Sequence, residues 1–564
     1  MRDFFKNRLL ELLHKDTLDS YRVKVNNANS LLHELYHLLF DWKVGKIKRF
    51  ETVQYTCMEL LDQLKNDECI SYGEYEKDCI IEELKKLESK DEKNASWDYT
   101  QYLIFRLIDI NKDAYLERLF LKVTLGIKEN ACQANFIQLD RLLNCLIAEL
   151  IRIGYSKNFL YIITKSAFAR KDDIGFDCSF EKYKIRLLEK KKEIFHVFFK
   201  LIFDKTETIP DNTELIKSIP TELITAKAQQ TNSAFFEQTE RTRFLHFEEN
   251  VLDANTSLAE SKLKLSTFLD KIHLSLGIVQ VEVNKSTYIT NTNNSKGRCI
   301  YTDFVVDGTS IDTVPYEKID HALSSIYSSN IISADVKDRI NCSLRHFRLG
   351  NDARDMEQKF INYWIGLEYI FSVPEKDSST FTRIKENLPI VLLCGYMKRN
   401  FIYINNLVMR DKDREGYSGV NIWDFDETML NELIEKSPSS LIKFRLSKIK
   451  SLLIGNSEKR KDYLKRHENH LVWHIVRLYR LRNELIHDAA IKNNIVQVTS
   501  NLRYYLAYML NQIIHYFCNI TESEVKSDYT INDFFYEYKL LYHNIKKYYN
   551  KDIIFNVAIE TYIS

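Results

Sequence analysis

Fourteen glycines and six prolines in 564 residues leave this chain few places to turn tightly. The two together average about 12% of a soluble protein, and a β-rich or loop-rich fold draws on them at most of its turns. A chain so poor in both is expected to be mainly α. Charged residues at 28% and hydrophobic residues at 45% fit a globular protein and exclude a disordered or fibrous one. At about 100–200 residues per domain, the length suggests about three domains. The 80 Lys+Arg balance the 79 Asp+Glu to a net charge of +1. There is no global basic field, so any nucleic-acid binding must use a local patch.

Ten cysteines are spaced irregularly and none forms a C-x-x-C pair, which argues against a zinc ribbon and against a disulfide scaffold. Reduced thiols in a cytoplasmic protein are the expectation. The opening MRDFFKNRLLELLHKD meets charge too soon for a signal-peptide core. No apolar run approaches the roughly 20 residues of a membrane span, so no membrane partner is expected.

Residues 1–205 read as a helical N-terminal domain that senses a trigger or restrains an effector. Arg141 to Ile153 and Ile185 to Phe203 are apolar at helical spacing. Residues 206–240 carry Pro210, Pro220 and the polar TAKAQQTNS and read as a linker. In 241–330, Phe244 to Leu276 reads as a long helix. Val279, Val281 and Val283 then alternate with polar residues as in a strand, and NTNNSKG and CIYTDFVVDG complete a small β segment. From about Ile332 the pattern is helical to the end, with a domain at 331–525 and a tail at 526–564. The aromatic DFFYEYKLLYHNIKKYYN of that tail suits a packed amphipathic helix better than a base-stacking surface.

The most informative stretch is LVWHIVRLYRLRNELIHDAAI, Leu471 to Ile491. On a helix, Leu471, Ile475, Leu478 and Leu485 share one face, and Arg482 is in phase with it. A guanidinium there needs an anionic partner or a ligand, because an unpaired buried charge is very costly. Asn483 and His487 are i and i+4 and project from one side. A cation, an amide and an imidazole around one anionic centre suit RNA cleavage without a metal. The ribose 2′-OH attacks the adjacent phosphate, histidine moves the proton, and arginine stabilises the phosphorane oxygens. From Leu441 to Ala490 there are 12 Lys+Arg and 5 Asp+Glu. Within this basic stretch Arg466, His470, His474, Arg477 and Arg480 are candidates to follow a phosphate backbone. A plain solvated basic face is the alternative.

RNELIH, Arg482 to His487, resembles the R-x4-6-H motif of the HEPN superfamily. FINYWIGLEYIF (Phe360 to Phe371) and FTRIKENLPIVLLCG (Phe381 to Gly395) resemble consecutive helices of the Apea-like HEPN branch, with an insertion at about 397–455. The helix and strand region at 244–306 is similar to the segment that often precedes that domain. The specific resemblance covers about 331–520. It implies a helical bundle that dimerises, so that two motifs face each other and form one metal-independent endoribonuclease centre without a cofactor. Arg482 and His487 are then the catalytic pair, Asn483 the accessory polar residue, and Glu368 the acid of the aromatic helix and a partner for Arg482. The resemblance also points to toxin-like effectors of bacterial antiphage defence (abortive infection) that cut cellular RNA, tRNA among the candidates, on a phage-derived or cellular trigger. Some members of the superfamily are inactive scaffolds.

A competing motif lies near the N-terminus. His33-Glu34-Leu35-Tyr36-His37 is H-E-x-x-H, the pattern of a zincin-type zinc hydrolase, which on a helix can present two imidazoles to zinc with the glutamate as general base. A third ligand would have to come from Glu51, Glu59 or Glu68, none of them in a recognisable pattern. Two histidines on an ordinary amphipathic helix are the simpler reading.

Overall fold

A computed structural model describes residues 1–14, 26–88, 97–169, 173–276, 281–291, 297–302, 314–353, 355–372, 379–410, 426–454, 457–487, 495–520 and 528–547, together with 554, 557, 559 and 561–563. The protein is mainly α and multi-domain. It divides into two compact units, one of residues 1–149, 307–490 and 497–564, the other of residues 150–306 and 491–496.

The first unit begins with α1 (Arg2–Leu13), α2 (Ala28–Lys43), α3 (Glu51–Leu64), α4 (Lys77–Glu88), α5 (Trp97–Asn111), α6 (Ala114–Lys128) and most of α7 (Gln133–Arg152). The second unit holds α8 (Lys157–Ala167), α9 (Asp173–Leu188), β1 (Glu193–Phe203), β2 (Leu215–Ile216), α10 (Ala226–Thr231), α11 (Ser233–Phe236), β3 (Thr242–Val251), α12 (Ala254–Leu276), β4 (Val281–Asn291) and β5 (Arg298–Tyr301). The first unit then resumes with α13 (Tyr316–Ser328), α14 (Ala334–Asp352), α15 (Met356–Phe371), α16 (Thr380–Cys394), α17 (Tyr396–Arg410), α18 (Glu427–Lys436), α19 (Ser440–Leu453), α20 (Ser457–His487), α21 (Ile495–Cys518) and α22 (Ile531–Lys547).

Residues 1–149 therefore do not form a domain apart from the C-terminal helices, contrary to the expectation from the sequence. Buried ions tie the two stretches together. Glu11 on α1 accepts from Arg8 at 2.5 Å, from Arg445 on α19 at 2.9 Å and from the Tyr403 hydroxyl on α17 at 2.5 Å. Arg8 also reaches Asp140 on α7 at 2.7 Å. Helical periodicity shows which face of each helix is apolar, but not which distant helix covers it.

Two further corrections concern the second unit. Residues 193–203 are a strand and not the continuation of a helix. Phe195, Val197, Phe199 and Leu201 pack against Leu258, Leu265 and Phe268 of α12, while Phe198 packs on the other face with Phe235, Phe244 and Tyr288. A strand covered on both faces loses its polar alternation and reads as a continuous apolar run. Residues 244–251 are likewise strand. Helix α12 starts only after Asp253, whose Oδ1 accepts from the amides of Asn255 (2.9 Å) and Thr256 (3.0 Å) as an N-cap does. The sheet order is β2-β3-β1-β4-β5, antiparallel throughout. The segment expected to be a linker supplies β2 and the residues Ile219, Ala228 and Phe235 that cover the sheet's second face. Of the strand read at 279–283, residues 281–283 belong to β4 and 279–280 lie outside the described residues, as do 292–296 and 303–313 of the following β segment.

In the first unit, α14 and α15 cross closely at Gly366. A β-carbon there would meet Leu506 Cδ2 at 2.9 Å and the Ser343 carbonyl at 3.3 Å, and the Ser343 hydroxyl donates to the Gly366 carbonyl at 2.8 Å. This contact fixes the height of Glu368, two residues further along α15. Leu471, Ile475, Leu478 and Leu485 of α20 are all buried, as their spacing predicts.

Candidate functional site

Helix α20 runs for 31 residues and packs against α3, α15, α16, α19 and α22. It is thus a central helix, covered on more than one side. This decides the fate of most of its basic residues. His474 is buried. Its Nδ1 shares a hydrogen bond with the Tyr505 hydroxyl at 3.1 Å and its Nε2 one with Asn501 at 3.3 Å, both on α21. Burial, with the nearby charge of Arg477, pulls its pKa down to about 3, so the ring is neutral. His470 is also buried, with Nε2 3.8 Å from Asp62 and its ring edge-on to Trp473.

Arg477 is committed to carboxylates. Its Nε and Nη2 donate to the two oxygens of Glu34 at 2.9 and 3.0 Å, and Nη2 also donates to Glu59 at 2.6 Å. Arg480 donates to Glu34 at 2.6 Å and lies 3.6 Å from Glu484. Four of the five residues expected to track an RNA backbone are therefore turned into the protein or held by acids. Only Arg466 of that set is exposed. A local excess of Lys and Arg does not reveal acids that return from 400 residues away.

The same contacts bear on the H-E-x-x-H motif. Burial alone would raise the Glu34 pKa, but Arg477 and Arg480 outweigh it and hold the carboxylate at about 2. A carboxylate so stabilised is a poor general base. Glu59, one of the possible third ligands, is occupied by Arg477 and pushed up by burial. His33 is partly buried and His37 exposed. Among the described residues, no third ligand gathers with them.

The last two turns of α20 are different. Arg482 and Glu368 are each about a quarter exposed, and Nη2 of Arg482 lies 3.7 Å from Oε2 of Glu368 on α15. Nη1 of Arg482 donates to Oδ1 of its neighbour Asn483 at 3.1 Å, while Nε has no hydrogen-bond partner among the described residues. The guanidinium is thus held loosely by one carboxylate and one amide oxygen, with about a quarter of the side chain exposed. Aromatic contacts tie this stretch of α20 to α16 and α15. Tyr479 lies flat on Phe381 at 4.0 Å and packs 5.9 Å from Trp364. His487 is the last residue of α20, one turn after Asn483, and its side chain lies outside the described residues. The arrangement can offer a forked cation and an amide to a single anionic group.

All ten cysteines are free thiols, and burial pushes Cys57 and Cys394 well above the usual thiol range. Among the described residues no helix is long and apolar enough to cross a membrane. Comparisons with protein-family models, with curated proteins and with solved structures return no match to this chain.

Sequence reasoning missed a second cluster, in the sheet unit, where His196, His246 and Glu248 converge. The alternating His246-Phe247-Glu248 was its one legible signal, and it was hidden once residues 244–276 were read as helix.

Proposed function

We propose that this chain is a metal-independent endoribonuclease of HEPN type, acting as a toxin-like effector in bacterial defence. The observation that carries the reading is Arg482, held partly exposed between Glu368 and Asn483 at the end of α20 with His487 one turn beyond. In this mechanism an imidazole accepts the proton of the ribose 2′-OH as it attacks the phosphate. The Arg482 fork stabilises the charge that builds on the equatorial oxygens. Asn483 orients the guanidinium through its side-chain oxygen. The leaving 5′-oxygen takes a proton from an acid on the opposite side.

Purified protein is expected to cut RNA in excess EDTA, leaving 2′,3′-cyclic phosphate and 5′-hydroxyl ends. Substrate with 2′-deoxyribose at the cut position should resist. Cleavage of that substrate, or loss of activity in EDTA that added divalent metal restores, would point instead to a metal-activated water.

One motif supplies one histidine, whereas the transfer needs a base and an acid. Arg482 also lies about 100° around the helix from Asn483. A two-fold dimer brings a second His487 and Arg482 to the same phosphate. Mixing His487→Ala with Arg482→Ala protein should therefore recover part of the activity that each lacks alone. Full activity from a monomer would exclude a shared centre.

The second reading is a non-catalytic partner-binding protein of the same fold, favoured by the engagement of Arg482 with Glu368. It requires that no RNA be cut by protein shown to be folded.

A further inference from the structure

We infer that the sheet unit carries a binding site for a borderline divalent transition metal ion such as zinc, built by His196, His246 and Glu248. Residues His196 on β1 and Glu248 on β3 are directly opposed across the ladder, and His246 is opposed to Phe198, one diagonal step away. The three side chains share one face of the sheet. His196 Nδ1 lies 3.1 Å from His246 Nε2 and 3.4 Å from Glu248 Oε1, and one donor atom from each residue falls within 4.8 Å of the other two. Zinc sits about 2.0–2.1 Å from nitrogen and oxygen donors, so neighbouring donors of a tetrahedral shell are about 3.3 Å apart. Two of the three separations already match that edge, and a small rotation of the exposed Glu248 side chain closes the third.

A plain imidazole–imidazole hydrogen bond would explain the 3.1 Å contact alone. It would not call for a carboxylate at the same nitrogen. The surroundings also favour a metal. Phe198 stacks flat on His246 at 4.5 Å, which fixes the ring. His196 Nε2 is buried and meets no partner among the described residues, so with Nδ1 turned to the shared position the proton on Nε2 is left without an acceptor. Without an outer carboxylate on that nitrogen, the site is weaker than a zinc centre whose imidazoles are anchored from behind. Glu248 stands at the solvent edge, which gives an entry path and leaves a fourth position for water. Bound there, the ion would staple β1 to β3.

The test uses the full chain stripped with chelator and titrated with zinc, and with cobalt for its tetrahedral absorption bands. One ion per chain is expected, together with a rise in the thermal unfolding midpoint of the unit. His246→Gln and Glu248→Gln should each weaken zinc by more than about 10-fold, because even outer-sphere partners are worth about 10–100-fold. The double variant His33→Gln/His37→Gln should bind as the parent does. Glu248 is exposed, so its variant keeps the test valid if His246→Gln misfolds. No zinc uptake by the parent, unchanged uptake by Glu248→Gln, or uptake abolished by the His33/His37 double variant would each overturn the assignment.

Discussion

Arg482→Ala and His487→Ala are each expected to lower RNA cleavage by about 10²- to 10⁴-fold, the usual cost of removing an anion-stabilising donor or a proton-transfer group. Stability should hardly change in the arginine variant. The Arg482–Glu368 pair is 3.7 Å long and about a quarter exposed on both sides, and such pairs contribute less than about 1 kcal/mol. Cleavage rates against a 2′-OH-containing substrate, read beside a denaturant midpoint, separate the two effects. Full activity in both variants would remove these residues from the mechanism. An arginine variant that is inactive because it no longer folds would make Arg482 structural and favour the partner-binding reading. Arg482→Lys sharpens the comparison, since it keeps the charge but loses the fork that can hold two oxygens at once.

Arg477→Ala should have the larger effect on folding. It leaves Glu34 and the almost fully buried Glu59 facing each other with their shared cation gone. Breaking a buried pair from one side costs about 3–5 kcal/mol, readable as a shift of the urea or guanidinium midpoint. Were Arg477 an RNA contact instead, the variant would keep its midpoint and lose RNA affinity. Two groups of the same region, Glu34 and His474, should make the protein acid-sensitive, against the opposite contribution of the raised Glu59. The depressed Glu34 pKa contributes stability that is fully present above the ordinary carboxylate value and is lost as the pH falls toward 2. His474, neutral in the fold down to about pH 3, adds to this. An unfolded histidine takes up a proton below about pH 6.5, so the fold loses stability from there downward. His474→Gln should flatten the upper part of that decline, which midpoints measured between pH 7 and 4 would show.

Much of the helical architecture is legible in the residues. The scarcity of glycine and proline announces it, and Leu471, Ile475, Leu478 and Leu485 are buried on the stripe their spacing defines. That Arg482 must meet an anion is legible too, because a guanidinium in phase with an apolar stripe needs one; only the resemblance of the aromatic helix points to Glu368. The strands were lost for a physical reason. Phe195 to Phe203 is covered on both faces, and without a polar face a strand and a buried helix look alike. The basic row on α20 misled for another. Whether Arg477 meets a phosphate or a glutamate depends on α2 and α3, and nothing local to residues 464–491 records their arrival.

The segment 150–306 interrupts the first unit, so the partners of its inner ion cluster are made far apart in time. Glu34 and Arg477 are separated by 443 residues. At translation speeds of about 5–20 residues per second, Arg477 leaves the ribosome roughly 20–90 s after Glu34. Until then α2 and α3 cannot find the helix they pack on, and α20 with its RNELIH end does not yet exist. On the proposed function, a growing chain would consequently spare the RNA of the ribosome making it. The sheet unit, continuous in sequence apart from 491–496, has nearly all of its residues available much earlier.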